Sequence, residues 1–245
     1  MDIFLWVIVP YLCMTTFVVG HFWRYRYDKF GWTTRSSQLY ENRLLRIGSP
    51  LFHFGMLGVV LGHVMGLLVP QSWTDSLGLS HEAYHVLALA GGIPAGIAAV
   101  VGLAILVYRR RTVGPVFSAT TVNDKVMYAV LGTVIVLGMW NTIAGSLFTI
   151  GGEYNYRDGV SPWFRQIFWF QPDASLMASA PLGFQLHGFL AFLLIGMWPF
   201  TRLVHVFSAP LGYFTRPYIV YRSRDERPGR GTGSRAQKRG WEKVQ

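Results

Sequence analysis

The chain has 245 residues, 51% of them hydrophobic and only 14% charged, and carries a formal net charge of +10. A soluble domain holds about a quarter charged residues. Here the bases cluster between long apolar runs, which excludes a nucleic-acid binder and indicates an integral membrane protein. The single cysteine, Cys13, excludes a disulfide framework or thiolate metal cluster and reads as a small apolar residue within a span.

Crossing a hydrocarbon core of about 30 Å takes about 20 helical residues. Five apolar segments suffice: 3–22, 50–69, 84–108, 126–150 and 182–207. Their backbone hydrogen bonds must close internally, and their polarity does not alternate as barrel strands would. The expected fold is therefore all-α, a five-transmembrane-helix bundle. The first segment follows Met1-Asp2 with no basic region and no cleavage site before Arg24, so it reads as a retained span.

The connecting segments set the orientation. Of the 22 bases, all but Arg157 and Arg165 fall in the first loop, the third loop or the region from Arg202 onward. By the positive-inside rule the N-terminus is outside and the C-terminus cytoplasmic, giving a multi-pass protein of the cell (cytoplasmic) membrane. The 151–180 stretch on the outside is aromatic, with Trp163, Phe164, Phe168, Trp169 and Phe170. It fits either an interfacial anchor or a roof over a lipophilic substrate. Residues 1–224 form the transmembrane domain, and 225–245 form a polar, basic tail, flexible or ordered by a partner. No internal repeat is visible.

Histidines stand out against this apolar background. His53 and His63 lie in the second span, His187 and His205 in the fifth. Ionisable groups within spans are costly and mark function. Antiparallel neighbours match His63 with His187 and His53 with His205, as two six-coordinate b-type haems between helices 2 and 5 require. A divalent metal fits less well, because no span supplies a carboxylate beside them.

The spacing agrees only in part. Eighteen residues separate His187 and His205, five whole turns, whereas the ten between His53 and His63 leave the rings about 80° apart. The rises differ too, about 27 Å against about 15 Å, and a kink near Pro199, tilt or slanted haems would absorb the difference. Gly55, Gly58, Gly62 and Gly66 form a stripe on helix 2 that serves close helix packing or makes room for a flat macrocycle. Near the inner side, Arg109, Arg110, Arg111 and Arg202 are either positive-inside charge or partners for haem propionates. His21 reads as interfacial, and His81 and His85 sit at the outer mouth of helix 3.

These motifs resemble the gamma subunit of respiratory nitrate reductase, a di-haem cytochrome b membrane anchor. The resemblance rests on Arg24-Tyr25-Arg26-Tyr27-Asp28 with Arg35-Ser36-Ser37-Gln38, on Leu51-Phe52-His53 with Gly62-His63, and on Arg109-Arg110-Arg111 with Ala119-Thr120-Thr121. It is strongest at Phe200-Thr201-Arg202-Leu203-Val204-His205 and Thr215-Arg216, and extends to about Arg224. It implies two haem b groups, the outer (distal) on His63 and His187 and the inner (proximal) on His53 and His205. It further implies oxidation of a quinol, menaquinol or ubiquinol, near the outer haem. Electrons then go to the iron–sulfur clusters of a beta subunit, for nitrate reduction by a molybdenum alpha subunit. Where the family can carry a lysine at the outer start of helix 3, this chain reads Ser80-His81-Glu82-Ala83-Tyr84-His85. His85, and less readily His81, is the candidate partner of the quinol near His63, since an imidazole titrating near pH 6.5 suits that proton.

The histidine pattern by itself leaves alternatives open. A di-haem anchor of a hydrogenase, a formate dehydrogenase or a heterodisulfide-reductase-like enzyme would share it. A histidine-relay transporter fits less well, since no acid or broken helix lies deep in the spans. A purely structural anchor is a third reading.

Overall fold

The computed structural model describes residues 1–28, 30–32, 36–150, 154–208 and 215. Five of its helices are long and apolar enough to cross a membrane: α1 (Phe4–Tyr27), α2 (Arg43–Leu68), α4 (His81–Thr112), α6 (Val122–Leu147) and α9 (Leu182–Phe200). Shorter helices join them: α3 (Gln71–Ser76), α5 (Gly114–Ser118), α7 (Val160–Phe168) and α8 (Ala174–Ala178). No strand occurs among the described residues. Side chains such as Phe54, Leu57 and Val60 lie exposed along the spans, as lipid-facing positions do. The 225–245 tail lies outside the described residues.

Small residues set the closest approach. A methyl group on Gly55 would sit 2.5 Å from the Ala99 nitrogen, and one on Gly58 would sit 2.8 Å from the Ala95 side chain. Gly102 meets the Phe52 backbone in the same way. Helices α2 and α4 therefore pack almost backbone to backbone, the device membrane helices use where no hydrophobic effect drives association. Gly55 and Gly58 are helix-packing positions, while Gly62 faces open space. From α2 the packing continues through α4, α6 and α9 to α1.

Caps move the boundaries away from those that hydropathy predicts. Helix α4 begins at His81 because the Ser80 hydroxyl accepts from the Ala83 N–H. Helix α6 begins at Val122 because Thr121 and Asp124 form a reciprocal capping box. The largest difference is in the fifth span, expected to run to 207. Helix α9 tightens at Trp198–Phe200, Thr201 is extended, and a separate 3₁₀ turn spans Arg202–Val206. His187 and His205 thus stand on different helical pieces, and five regular turns do not connect them. Pro199 contributes the break, since it has no N–H to continue the helix.

Side chains satisfy the carbonyls freed at that break. Arg24 donates to Pro199 O, Asn123 to Phe200 O and Trp198 to Leu203 O. Irregular backbone at membrane depth is tolerated only on these terms. Asp124 also holds Arg202 across the break, Nε to Oδ1 at 2.6 Å.

The two ends of the bundle are closed differently. At the basic end, Arg109 is buried and engages Glu41 at 2.5 Å together with the Ser37 hydroxyl and both residues' main-chain carbonyls. It staples the 36–41 segment to α4, so its guanidinium is turned to protein rather than to solvent. Burial opposes ionisation of Glu41, yet the Leu44 N–H and the Arg109 guanidinium hold its carboxyl below the ordinary range. Arg110 meets Tyr128 and Thr120, and Arg111 lies over the Phe117 ring.

At the opposite end α7 caps the bundle. Trp163 is buried, edge-on to Trp6 and Phe192, and donates to Trp6 O. Ser161, Arg165 and Arg157 donate to Gly66 O, Leu67 O and Val69 O, at the end of α2. The aromatic stretch therefore divides: Trp163 roofs the bundle, while Phe168, Trp169 and Phe170 are exposed, as an interfacial anchor would be.

Candidate functional site

The four histidines meet in the pairs that antiparallel topology predicts. His63 and His187 have ring centres 6.0 Å apart with planes 28° from parallel. His53 and His205 are 5.8 Å apart at 71°. A metal bonded at about 2 Å to one nitrogen of each ring would set the two centres about 6 Å apart. Both pairs have that separation.

Hydrogen bonding fixes which nitrogen is available. Nδ1 of His53 lies 2.7 Å from Ser49 O, and Nδ1 of His63 lies 2.7 Å from Val59 O. Nδ1 of His187 lies 3.0 Å from Val134 O, and Nδ1 of His205 lies 2.6 Å from Arg202 O. A carbonyl only accepts, so each Nδ1 carries the proton and each Nε2 presents a lone pair. An imidazole oriented through its other nitrogen is the usual arrangement of a metal-ligating histidine. No group of three or more His, Cys, Asp or Glu able to hold a metal occurs among the described residues. Each pair is therefore a two-ligand site, and a metal there needs its other ligands from a macrocycle or solvent.

The supports differ between the pairs. Three Nδ1 bonds are local, to the preceding turn of the same element. That of His187 crosses to α6, where Gly138 leaves room: a methyl group there would sit 3.0 Å from the His187 ring.

Beyond the His63–His187 pair, on the side away from the basic end, lies a cleft lined by His81, Tyr84, His85, Ser146, Tyr154, Tyr156 and Arg157. It brings the two candidate quinol-site histidines together in one place. It also adds Tyr84, Tyr154, Tyr156 and Arg157, which sequence reasoning missed. The available signal was that Arg157 is one of only two bases in the poorly charged loops. Burial and the neighbouring Tyr84 hydroxyl push the Tyr156 phenol well above its ordinary range, so it stays protonated.

The nitrate reductase gamma subunit family model matches residues 2–224. Among similar proteins, the nitrate reductase-like protein NarX of Mycobacterium tuberculosis is 58% identical over 236 residues, 96% of this chain and 35% of its own length. The nitrate reductase gamma chain of Bacillus subtilis is 47% identical over 221 residues, 90% of this chain and 97% of the relative. The respiratory nitrate reductase 2 gamma chain of Escherichia coli is 35% identical over 225 residues, 91% and 98% of the two chains. This chain thus spans about a third of the mycobacterial relative and nearly all of the two gamma chains. By its fold, its motifs and these matches, the chain belongs to the nitrate reductase gamma subunit family.

Proposed function

We propose that the protein is the cytochrome b membrane subunit of a respiratory nitrate reductase, which oxidises quinol and delivers the electrons across the membrane to its partners. The observation that carries this reading is the two facing histidine pairs, each with two free Nε2 lone pairs about 6 Å ring to ring, at different depths in one bundle. His63 and His187 would hold an outer haem b, and His53 and His205 an inner one. When bound, each haem would supply a one-electron carrier, with no position left open for oxygen chemistry by the two histidines that would hold it.

The residues of this chain supply the rest. Main-chain carbonyls fix the four rings. The low-charge end, outermost by the positive-inside rule, holds the cleft in which quinol would release its protons, with His85 and His81 beside it. Protons left outside while electrons cross inward separate charge. Each electron then works against about 2.3 kcal/mol per 100 mV of potential. The basic end faces the cytoplasm, where an iron–sulfur beta subunit and a molybdenum alpha subunit would dock.

A dithionite-reduced-minus-oxidised spectrum with haem quantification tests this. Two b haems per chain are expected, and one after His63→Ala or His187→Ala. Absence of any b-type signal overturns the reading, and retention of both haems in those variants overturns the pairing.

A further inference from the structure

In the low-charge end, between α4 and the 154–157 turn, a buried hydrogen-bond donor lacks a protein partner. Arg157 is 4% exposed, its carbon centre lies 3.9 Å from the middle of the Tyr84 ring, and its terminal nitrogen donates to Thr74 Oγ1 at 3.1 Å. Its Nε is buried with no partner. A buried guanidinium donor left unpaired costs more than an ordinary hydrogen bond gains. Arg157 lines the cleft, so its unpaired donor stands in the cleft wall.

Tyr156 ties this cleft to the outer histidine pair. Its ring stacks on Phe184 at 6.3 Å and 19°, and its hydroxyl stands where a side chain on Gly66 would be, 2.8 Å from that position. Phe184 and Gly66 each lie three residues, close to one helical turn, from His187 and His63. The same hydroxyl is 3.5 Å from that of Tyr84. Such a contact is long, and it tightens or takes in a water when a substrate arrives. An aromatic-walled space with an unpaired donor and two linked hydroxyls matches a flat ring bearing hydroxyl groups.

We propose that Arg157 and the Tyr84–Tyr156 hydroxyl pair hold the quinol headgroup and carry away its first proton. This rests on the quinol-oxidising reading above. Arg157 Nε donates to one quinol oxygen, which accepts it as either hydroxyl or carbonyl. The quinol hydroxyl passes its proton to the Tyr156 oxygen as the Tyr156 proton passes to the Tyr84 oxygen and on to outer water. One O–H bond breaks and one forms at each step, and no tyrosinate is created, which the buried phenol would resist. The second quinol proton leaves through His85, which lines the same cleft, and the two electrons pass one at a time to an acceptor of the haem class at the outer histidine pair.

The test uses the assembled enzyme in membranes, with menadiol as the quinol. Tyr156→Phe keeps the ring on Phe184 and removes only the hydroxyl. It should lower the menadiol-driven rate of haem reduction roughly tenfold or more, with KM changed less than about twofold and the dithionite spectrum intact. Tyr84→Phe should act alike. Arg157→Lys keeps the charge and loses the Nε donor, so KM for menadiol should rise about tenfold with kcat little changed. Unchanged kinetics in Tyr156→Phe and Arg157→Lys, with quinol oxidation normal in the unaltered protein, overturn this proposal and leave the proposed function standing. Loss of haem from the dithionite spectrum in Tyr156→Phe also overturns it, by showing a structural role. Absence of menadiol-driven reduction in the unaltered protein sinks both.

Discussion

The two histidine pairs look equivalent in separation and are built in opposite ways. At the His63–His187 pair the rings are near parallel, both residues lie in regular helix, and one ring is held by a carbonyl of a different helix, Val134 of α6. At the His53–His205 pair the rings cross at 71°, and both are held by carbonyls of their own segment. His205 owes its position to a broken helix whose freed carbonyls are taken up by Arg24, Asn123 and Trp198. One pair thus depends on how closely two helices approach, and the other on a polar network at a break. Different substitutions should therefore disturb them separately.

The largest effect is expected at Asp124. It caps α6 through Thr121 and holds Arg202, whose carbonyl in turn orients His205. Asp124→Ala leaves the Thr121 cap in place, removes the reciprocal half of the capping box and breaks a partly buried ion pair. A fully buried pair costs about 3–5 kcal/mol to break, and this one less, because the Arg202 side chain keeps 21% of its surface exposed. The b-type signal assigned to the His53–His205 site should weaken while that of the other site stays. Loss at both sites, read by haem content and resolved potentiometric titration, would break the proposed independence.

Gly138→Ala should do the reverse on a smaller scale. Its methyl group would meet the His187 ring at 3.0 Å, so the ring or α6 must yield by a few tenths of an ångström. Overpacking of this kind costs about 1–2 kcal/mol. Both haems should remain, with a shifted potential or low-spin spectrum at the His63–His187 site alone. Because the two sites are far apart, the double variant with Asp124→Ala should show additive losses of stability.

What was legible in the sequence follows the same division. Apolar run lengths gave the spans, and span direction gave the histidine depths and therefore the pairs. The packing role of Gly55 and Gly58 was legible, since small residues on one helix face are a signal of close helix approach, whereas Gly62 of the same stripe faces open space. The break at Thr201 was legible only as one of three options, a kink near Pro199, because Leu203, Val204, Val206 and Phe207 continue the apolar pattern through it. Hydropathy reports depth and is blind to a backbone whose hydrogen bonds are rerouted through side chains. The burial of Arg109 was not legible for a related reason: a basic cluster at a span end reads as solvated charge, and only the fold shows Glu41 and Ser37 folded back onto it. Tyr156 and Arg157 lie in a segment without periodicity, where position comes entirely from tertiary contacts.

The smallest effect, and the sharpest on the break itself, is expected at Thr201. Its hydroxyl donates to Trp198 O and accepts from the Leu203 N–H, closing one piece of helix and opening the next. Thr201 is 6% exposed, so solvent cannot replace it. Thr201→Ala should cost about 1 kcal/mol, the usual worth of a cap, and loosen the 3₁₀ turn that carries His205. Thr201→Ser keeps both bonds and should restore the parent behaviour. The loosening should broaden the signal of the His53–His205 site with no change at His63–His187. Equal effects of the alanine and serine variants would mean that Pro199 and Arg24, rather than the hydroxyl, set the break.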